Sequence, residues 1–202
     1  MRKIPSLFMR DYDNNGLVYN VVTPGTEWVI NGEGLPTVKF DGSACWVYVD
    51  KLFRRYDRKL TKVSYAKKKQ NPLFIANIED YKETPPGWIA CVKYPDPITH
   101  HWPGWFPVGD GPEDQWHREA FRSNLENGTY ELVGPKIQNN PYDLIQHDLW
   151  KHGSTLMLDF PRDFETVEAF LKKEAIEGIV WHHEDGRMAK IKRSDFGIKW
   201  PL

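Results

Sequence analysis

The stretch TVKFDGSACWVYVD, residues 37–50, carries one cation inside an apolar run, then Asp41-Gly42, then a second apolar run. It reads as two β-strands joined by a turn, because Asp-Gly is a strong turn signal and Val, Phe, Trp and Tyr favour a pleated surface. Successive side chains of a strand point to opposite faces, so such a strand is either alternating or apolar throughout. Lys39 fits neither pattern. The ordinary account is an ammonium that snorkels to water along the strand. The chemical account is a lysine nucleophile in a partly desolvated pocket, and it needs support from elsewhere in the chain.

Outward from this stretch, short β-type segments recur: GLVYNVV (16–22), TEWVI (26–30), WIACVKY (88–94), GTYELVG (128–134), STLMLDF (154–160), EGIVWHH (177–183) and MAKIKR (188–193). Gly, Pro, Asn or Asp separates most of them. Helical periodicity is confined to DFETVEAFLKKEAI (163–176), with Asp163 as N-cap and Phe164, Val167, Phe170 and Leu171 on one face, and to EDQWHREAFRSNL (113–125). Strands and helices do not alternate as βαβ units, so the expected class is α+β, mostly antiparallel sheets with flanking helices. A length of 202 residues with 40% hydrophobic and 27% charged residues suits one domain over residues 1–202.

The N-terminus lacks the apolar core of a secretory signal and no run reaches the ~18 apolar residues of a membrane span, so a cytoplasmic setting is expected. Cys45 and Cys91 have no metal-type spacing and read as buried, reduced thiols. Asn127-Gly128-Thr129 reads as a turn before a strand rather than a glycosylation site. The net charge of −1 hides an uneven spread: residues 51–69 hold nine Lys and Arg against Asp57 alone. That segment reads as a solvated hairpin, or as a track that positions a polynucleotide backbone.

Several tempting patterns fail. DYDNNG (11–16) begins like a calcium loop, but position twelve is Val22 where a bidentate Glu is needed. NGEGLPT lacks the third glycine of a dinucleotide fingerprint, and no GxxxxGK loop occurs. The pairs His100-His101 and His182-His183 point to opposite faces of a strand and do not share a metal.

Three later segments change the weight of Lys39. Glu131 interrupts the strand-like TYELVGP, Glu177 opens EGIVW, and in AKIKR the residues Ala189 and Ile191 face one way while Lys190 and Lys192 face the other. Singly, each is a solvated strand face. Together and in this order, KFDG (39–42), YELVG (130–134), EGIVW (177–181) and AKIKR (189–193) resemble the nucleophile, third, fourth and fifth motifs of the covalent nucleotidyltransferase superfamily, which contains ATP-dependent RNA and DNA ligases and mRNA capping enzymes. A closer resemblance, to the small 5′-to-3′ RNA ligases, rests on TYELVGPKIQNNPY (129–142), FRRYDRK (53–59) and HWPGWFPV (101–108).

The resemblance implies a nucleotidyltransferase (ligase adenylation) domain that uses ATP with Mg²⁺ or Mn²⁺ and joins RNA 5′-phosphate and 3′-hydroxyl ends through lysyl-AMP. It implies Lys39 as the adenylated nucleophile, Asp41 as organiser of its motif, Glu131 on the ATP ribose, Glu177 as metal ligand, and Lys190 and Lys192 on the α-phosphate. Arg55 is implied as a contact to the nucleotide or the RNA 5′-phosphate, with Arg54 and Arg58 as rivals. Ser43-Ala44-Cys45 stands where many relatives carry an arginine, and the adenine-stacking position falls at Leu158 or Phe160. Only ten residues follow Lys192, so a C-terminal OB-fold domain is not expected. The residue types suit the chemistry: a free lysine has a pKa of roughly 10.4, and burial beside other cations favours the neutral amine that attacks phosphorus. DNA sealing or capping, and an RNA-binding module without catalysis, are the competing readings. Oligomeric state has no signal in the sequence.

Overall fold

The computed structural model describes residues 3–71, 73–157 and 160–201. Its strands are β1 (Phe8–Arg10), β2 (Val18–Val22), β3 (Leu35–Lys39), β4 (Ser43–Tyr48), β5 (Lys51–Arg58), β6 (Ile89–Ala90), β7 (Trp102–Pro107), β8 (Gly128–Val133), β9 (Asp148–Lys151), β10 (Gly178–His182) and β11 (Met188–Lys192). The α-helices are α1 (Glu27–Ile30), α2 (Lys62–Gln70), α3 (Gln115–Ala120) and α4 (Phe164–Lys173). The class is α+β, with antiparallel pairing in every ladder between these strands whose register is given. Among the described residues no helix is long and apolar enough to cross a membrane. The chain gathers into two compact units, a division that its length and composition do not announce.

Unit 1 is built mainly from Ser43–Leu132 with His147–Leu149. Its sheet has the order β6-β7-β5-β4-β8-β9. Alternation sorts this sheet by face: Cys45 pairs with Tyr130, and Cys45, Val47, Tyr130 and Leu132 are all buried on one side. The basic segment 51–69 is therefore not a hairpin. Its first half is β5, an inner strand between β4 and β7 that buries Leu52 and Phe53, and its second half is α2. The helix expected over 113–125 is shorter, because a 3-10 turn at Pro112–Asp114 precedes α3 and Phe121 returns to extended backbone. WIACVKY contributes only the two residues of β6.

Unit 2 comprises Ile4–Gly42, Val133–Gln146 and Trp150–Leu202. Its three-stranded sheet has the order β11-β10-β3, beside the β1-β2 pair. Leu7, Phe8, Val18, Trp28, Val29, Phe160, Val167, Leu171, Ile179, Trp181, Ala189 and Ile191 form one apolar core. The period of 3.6 in α4 and the period of 2 in β10 and β11 both aim their apolar residues at it. Asp163 caps α4 by accepting a hydrogen bond from the Thr166 N–H at 3.0 Å, worth about 1 kcal/mol. The other end is held by the buried Arg193, whose Nη1 donates to the carbonyls of Leu171 and Glu174, two carbonyls that the helix itself leaves open.

TEWVI is not a strand. Gly25 turns the chain at φ 88°, the Thr26 hydroxyl donates to the Leu7 and Thr23 carbonyls, and the short α1 then buries Trp28 and Val29, which are consecutive and would face opposite ways in a strand. In STLMLDF, Leu156 makes an isolated bridge to Thr37, and Leu158 lies outside the described residues. Cys45 is buried and Cys91 only half so; both are free.

One close approach fixes the sheet of unit 2. A Cβ on Gly178 would lie 2.2 Å from the Ile191 carbonyl oxygen and 2.9 Å from the Lys192 Cα, both backbone atoms that cannot step aside. Gly178→Ala is expected to cost ~1–3 kcal/mol through forced separation of β10 and β11. Thermal denaturation should read this as a fall of several degrees in the midpoint; an unchanged midpoint would contradict the close contact.

Candidate functional site

Lys39 ends β3, Glu177 immediately precedes β10, and Lys190 and Lys192 lie on β11, so one three-stranded sheet carries all four. Register decides which of them share a face. Gly178 pairs with Lys39 on one side and with Lys192 on the other, and Val180 pairs with Thr37 and Lys190. Paired residues and residues two apart point the same way, so Lys39, Lys190 and Lys192 all stand on the face opposite the apolar core. Gly178 between Lys39 and Lys192 leaves a gap of two strand spacings, roughly 10 Å, with no side chain in the middle.

Into this face Glu177 brings one carboxylate. Its Oε2 lies 2.5 Å from the Lys39 Nζ, which also donates to the Phe40 carbonyl at 3.1 Å. Burial pushes the Glu177 carboxyl above its ordinary range, against the pull of the Lys39 charge and hydrogen bond. Lys190 moves furthest: burial first, and then the charges of Lys39 and Lys192, bring its ammonium down to about 8. Asp195, fully buried and ion-paired with Arg10, accepts a hydrogen bond from the Lys192 N–H at 3.0 Å and so anchors the end of β11.

The turn after Lys39 is clamped by side chains from two distant segments. Asp41 donates its N–H to the Tyr142 Oη at 2.6 Å, and its Oδ2 accepts a hydrogen bond from the Trp200 Nε1 at 2.9 Å. Trp150 meets both Phe40, at 5.0 Å between ring centroids, and Tyr142, at 4.7 Å. Asp41 is thus an anchor for the turn. Tyr142 and Trp200 were not among the expected site residues. Tyr142 closes the segment 129–142 that carried the closer resemblance, and this was its only signal; Trp200 had none.

Glu131 and Arg55 belong to the sheet of unit 1. Glu131 is buried and pairs with Ala44, five residues after Lys39 in the chain. Arg54 pairs with Cys45, so alternation puts Arg54 and Arg58 on one face and Arg55 on the other, with Ala44 and Glu131. Arg54 is committed to Asp114, with Nε 2.7 Å from Oδ1, and stacks over Phe106. Arg58 donates to the Lys82 and Ile78 carbonyls and lies 5.6 and 5.5 Å from the ring centroids of Tyr81 and Trp102. Arg55 lies over Trp105 with its Nε 2.5 Å from Asp57 Oδ1. Of the three rivals, Arg55 is the one that shares the face of Glu131. Phe160 is a core residue: its ring packs edge-on against Phe170 at 4.5 Å and Trp181 at 5.8 Å.

Comparison with known proteins gives one family. The family model described as RNA ligase 1 matches residues 118–202. RNA ligase 1 of Pongo abelii is 30% identical over 223 residues, spanning 83% of this chain and 69% of the relative. RNA ligase 1 of Danio rerio is 28% identical over 221 residues, spanning 82% of this chain and 68% of the relative, and the Mus musculus protein matches to the same extent.

The cluster has a direct signature. Competitive acetylation followed by mass spectrometry should give Lys190 a titration midpoint near the value of about 8, below the ordinary ~10.4 of a lysine. Lys192→Ala should raise that midpoint, because a neighbouring cation no longer opposes protonation. A Lys190 midpoint near 10 in the unsubstituted protein would show that the pocket is open to water.

Proposed function

The chain belongs to the RNA ligase 1 family, and we propose on that footing that it is an ATP-dependent ligase of the cytoplasm, with a nucleotidyltransferase fold, that joins RNA 5′-phosphate and 3′-hydroxyl ends through lysyl-AMP on Lys39. Membership makes it a ligase acting on RNA; the end chemistry and the intermediate are our reading. The observation that supports it most is the face shared by Lys39, Lys190 and Lys192 around Gly178, with Glu177 as the carboxylate on Lys39.

A face with three lysines, whose acidic neighbours Glu177 and Asp195 are already bonded to Lys39 and Arg10, keeps positive charge that suits a polyphosphate. Glu177 suits Mg²⁺ or Mn²⁺, since such ions are held by one or two carboxylates together with substrate phosphates. When bound there, the ion would supply charge against the phosphate oxygens and against the protonated form of Lys39. The remaining work falls to the chain. The Lys39 ammonium must leave Glu177 and lose its proton before Nζ can attack. Nζ then bonds to the α-phosphorus as the bond to the β-phosphate oxygen breaks, and pyrophosphate leaves. Lys190 and Lys192 offset the charge that builds on the α-phosphate oxygens. AMP passes from Nζ to an oxygen of the RNA 5′-phosphate, and the 3′-hydroxyl oxygen of the second end attacks that phosphate and expels AMP. Glu131 accepts a ribose hydroxyl, and Arg55 takes a phosphate of the nucleotide or of the RNA 5′ end. Tyr142 and Trp200 keep the turn after the nucleophile in one conformation, which limits where Nζ can go.

Incubation with α-labelled ATP and, separately, α-labelled GTP, followed by denaturing electrophoresis, tests this reading. Label from ATP should stay on the protein, disappear in Lys39→Ala, and move to 5′-phosphorylated RNA; label from GTP would point to capping chemistry, and none from either would remove the covalent mechanism. Trp200→Phe keeps the ring and deletes the bond to Asp41. It is expected to slow lysyl-AMP formation about tenfold, a barrier change of ~1.4 kcal/mol, with KM for ATP little changed. A change in KM alone would make Trp200 a binding residue instead.

A further inference from the structure

Helix α2 is an unusual element of unit 1. Of its nine residues only Ser64 is buried, while Val63 and Tyr65 are 67% and 51% exposed. A helix this short is marginal alone in water. It is held by its edges rather than by a core face: Thr61 accepts a hydrogen bond from the Ser64 N–H, the Ser64 hydroxyl donates to Asp80, and Lys68 donates to the Ile98 carbonyl. Of its cations only Lys68 takes part in these holding contacts. Residues 58–70 hold Arg58, Lys59, Lys62, Lys67, Lys68 and Lys69 and no Asp or Glu, in a chain whose net charge is −1.

Arg58 and Lys68 are committed to carbonyls. Among the described residues no carboxylate forms an ion pair with Lys59, Lys62, Lys67 or Lys69. Asp80, the acid that senses Lys67, is already bonded to the Ser64 hydroxyl and the Asn77 N–H. Helical spacing sorts the exposed groups further. Lys62, Tyr65 and Lys69 stand at i, i+3 and i+7 and share one face, a cation on either side of a ring over about 10.5 Å, and the Lys69 ammonium sits 5.1 Å from the Tyr65 ring centroid.

We propose that this face of α2 docks the single-stranded part of the RNA substrate, with a base stacked on Tyr65 and backbone phosphates on Lys62 and Lys69, while Lys59 and Lys67 add charge at its margins. The proposal rests on the ligase reading for the identity of the RNA. Charge alone would admit an acidic polypeptide, but an exposed ring with one ammonium beside it and a second lysine one helical turn before it is the combination that holds a strand of stacked bases and phosphates. Arg55 lies on β5, four residues before Lys59, so the strand that carries the proposed end-phosphate contact leads directly into this helix.

The test is fluorescence anisotropy of a 5′-phosphorylated single-stranded RNA on the full chain between 50 and 200 mM NaCl, with lysyl-AMP formation measured in parallel. For Lys62→Ala with Lys69→Ala, the slope of log affinity against log salt should shrink by about 1.4, the share of two phosphate contacts on a single strand. Tyr65→Ala should weaken binding about tenfold with the slope unchanged. All these variants should form lysyl-AMP at the unsubstituted rate. A slope and affinity equal to those of the unsubstituted protein would overturn the proposal, as would poly-glutamate competing better than RNA, which would make α2 a protein-docking helix. Loss of lysyl-AMP in the unsubstituted protein would count against the ligase reading, whereas the salt slope judges α2 independently.

Discussion

The antiparallel register that sets Gly178 between Lys39 and Lys192 is the constraint on which the site depends. A side chain at this position would collide with the Ile191 carbonyl, so β10 and β11 come together only where the residue between the two lysines has none. The same pairing puts Ile179, Trp181, Ala189 and Ile191 into the core and therefore sends Lys190 and Lys192 to the other face. A slip of one residue would reverse both sets at once, burying ammonium groups and exposing the largest apolar residues of the unit. Core packing and cation placement are thus one choice made once.

Charge on that face is balanced narrowly. Three ammonium groups repel one another in a partly buried space, while Glu177 is already bonded to Lys39 and the neighbouring Asp195 to Arg10. Lys190 bears the cost, with its protonation weakened towards neutral pH by burial and by its neighbours. A bound polyphosphate, such as the nucleotide proposed above, would relieve this repulsion. Around it the molecule invests in rigidity: Tyr142 and Trp200 hold Asp41, and Asp195 holds the backbone of Lys192.

Arginines on β5 illustrate how much a face decides. Arg54, Arg55 and Arg58 are equivalent in a sequence, three guanidinium groups within five residues. Pairing with β4 and β7 separates them, and the acid Asp114, the carbonyls of Lys82 and Ile78, and the surrounding rings then occupy Arg54 and Arg58. Such partners lie tens of residues away and leave no local trace.

By itself the sequence determined the α+β class, the strand segments within 16–22, 37–50, 128–134, 177–183 and 188–193, the capped helix after Asp163, and the family resemblance, because period, turn residues and motif order are all local or ordered along the chain. It also determined that Lys190 and Lys192 share a face, which needs only the period of a strand. Tertiary structure alone decided the rest. TEWVI became a helix because Trp28 and Val29 both had core to fill, overriding their strand propensity. Phe160 went to the core, the basic segment divided into an inner strand and an exposed helix, and Trp200 reached the Asp41 carboxylate across 159 residues. These are long-range contacts, and their energy comes from partners that no window of sequence contains.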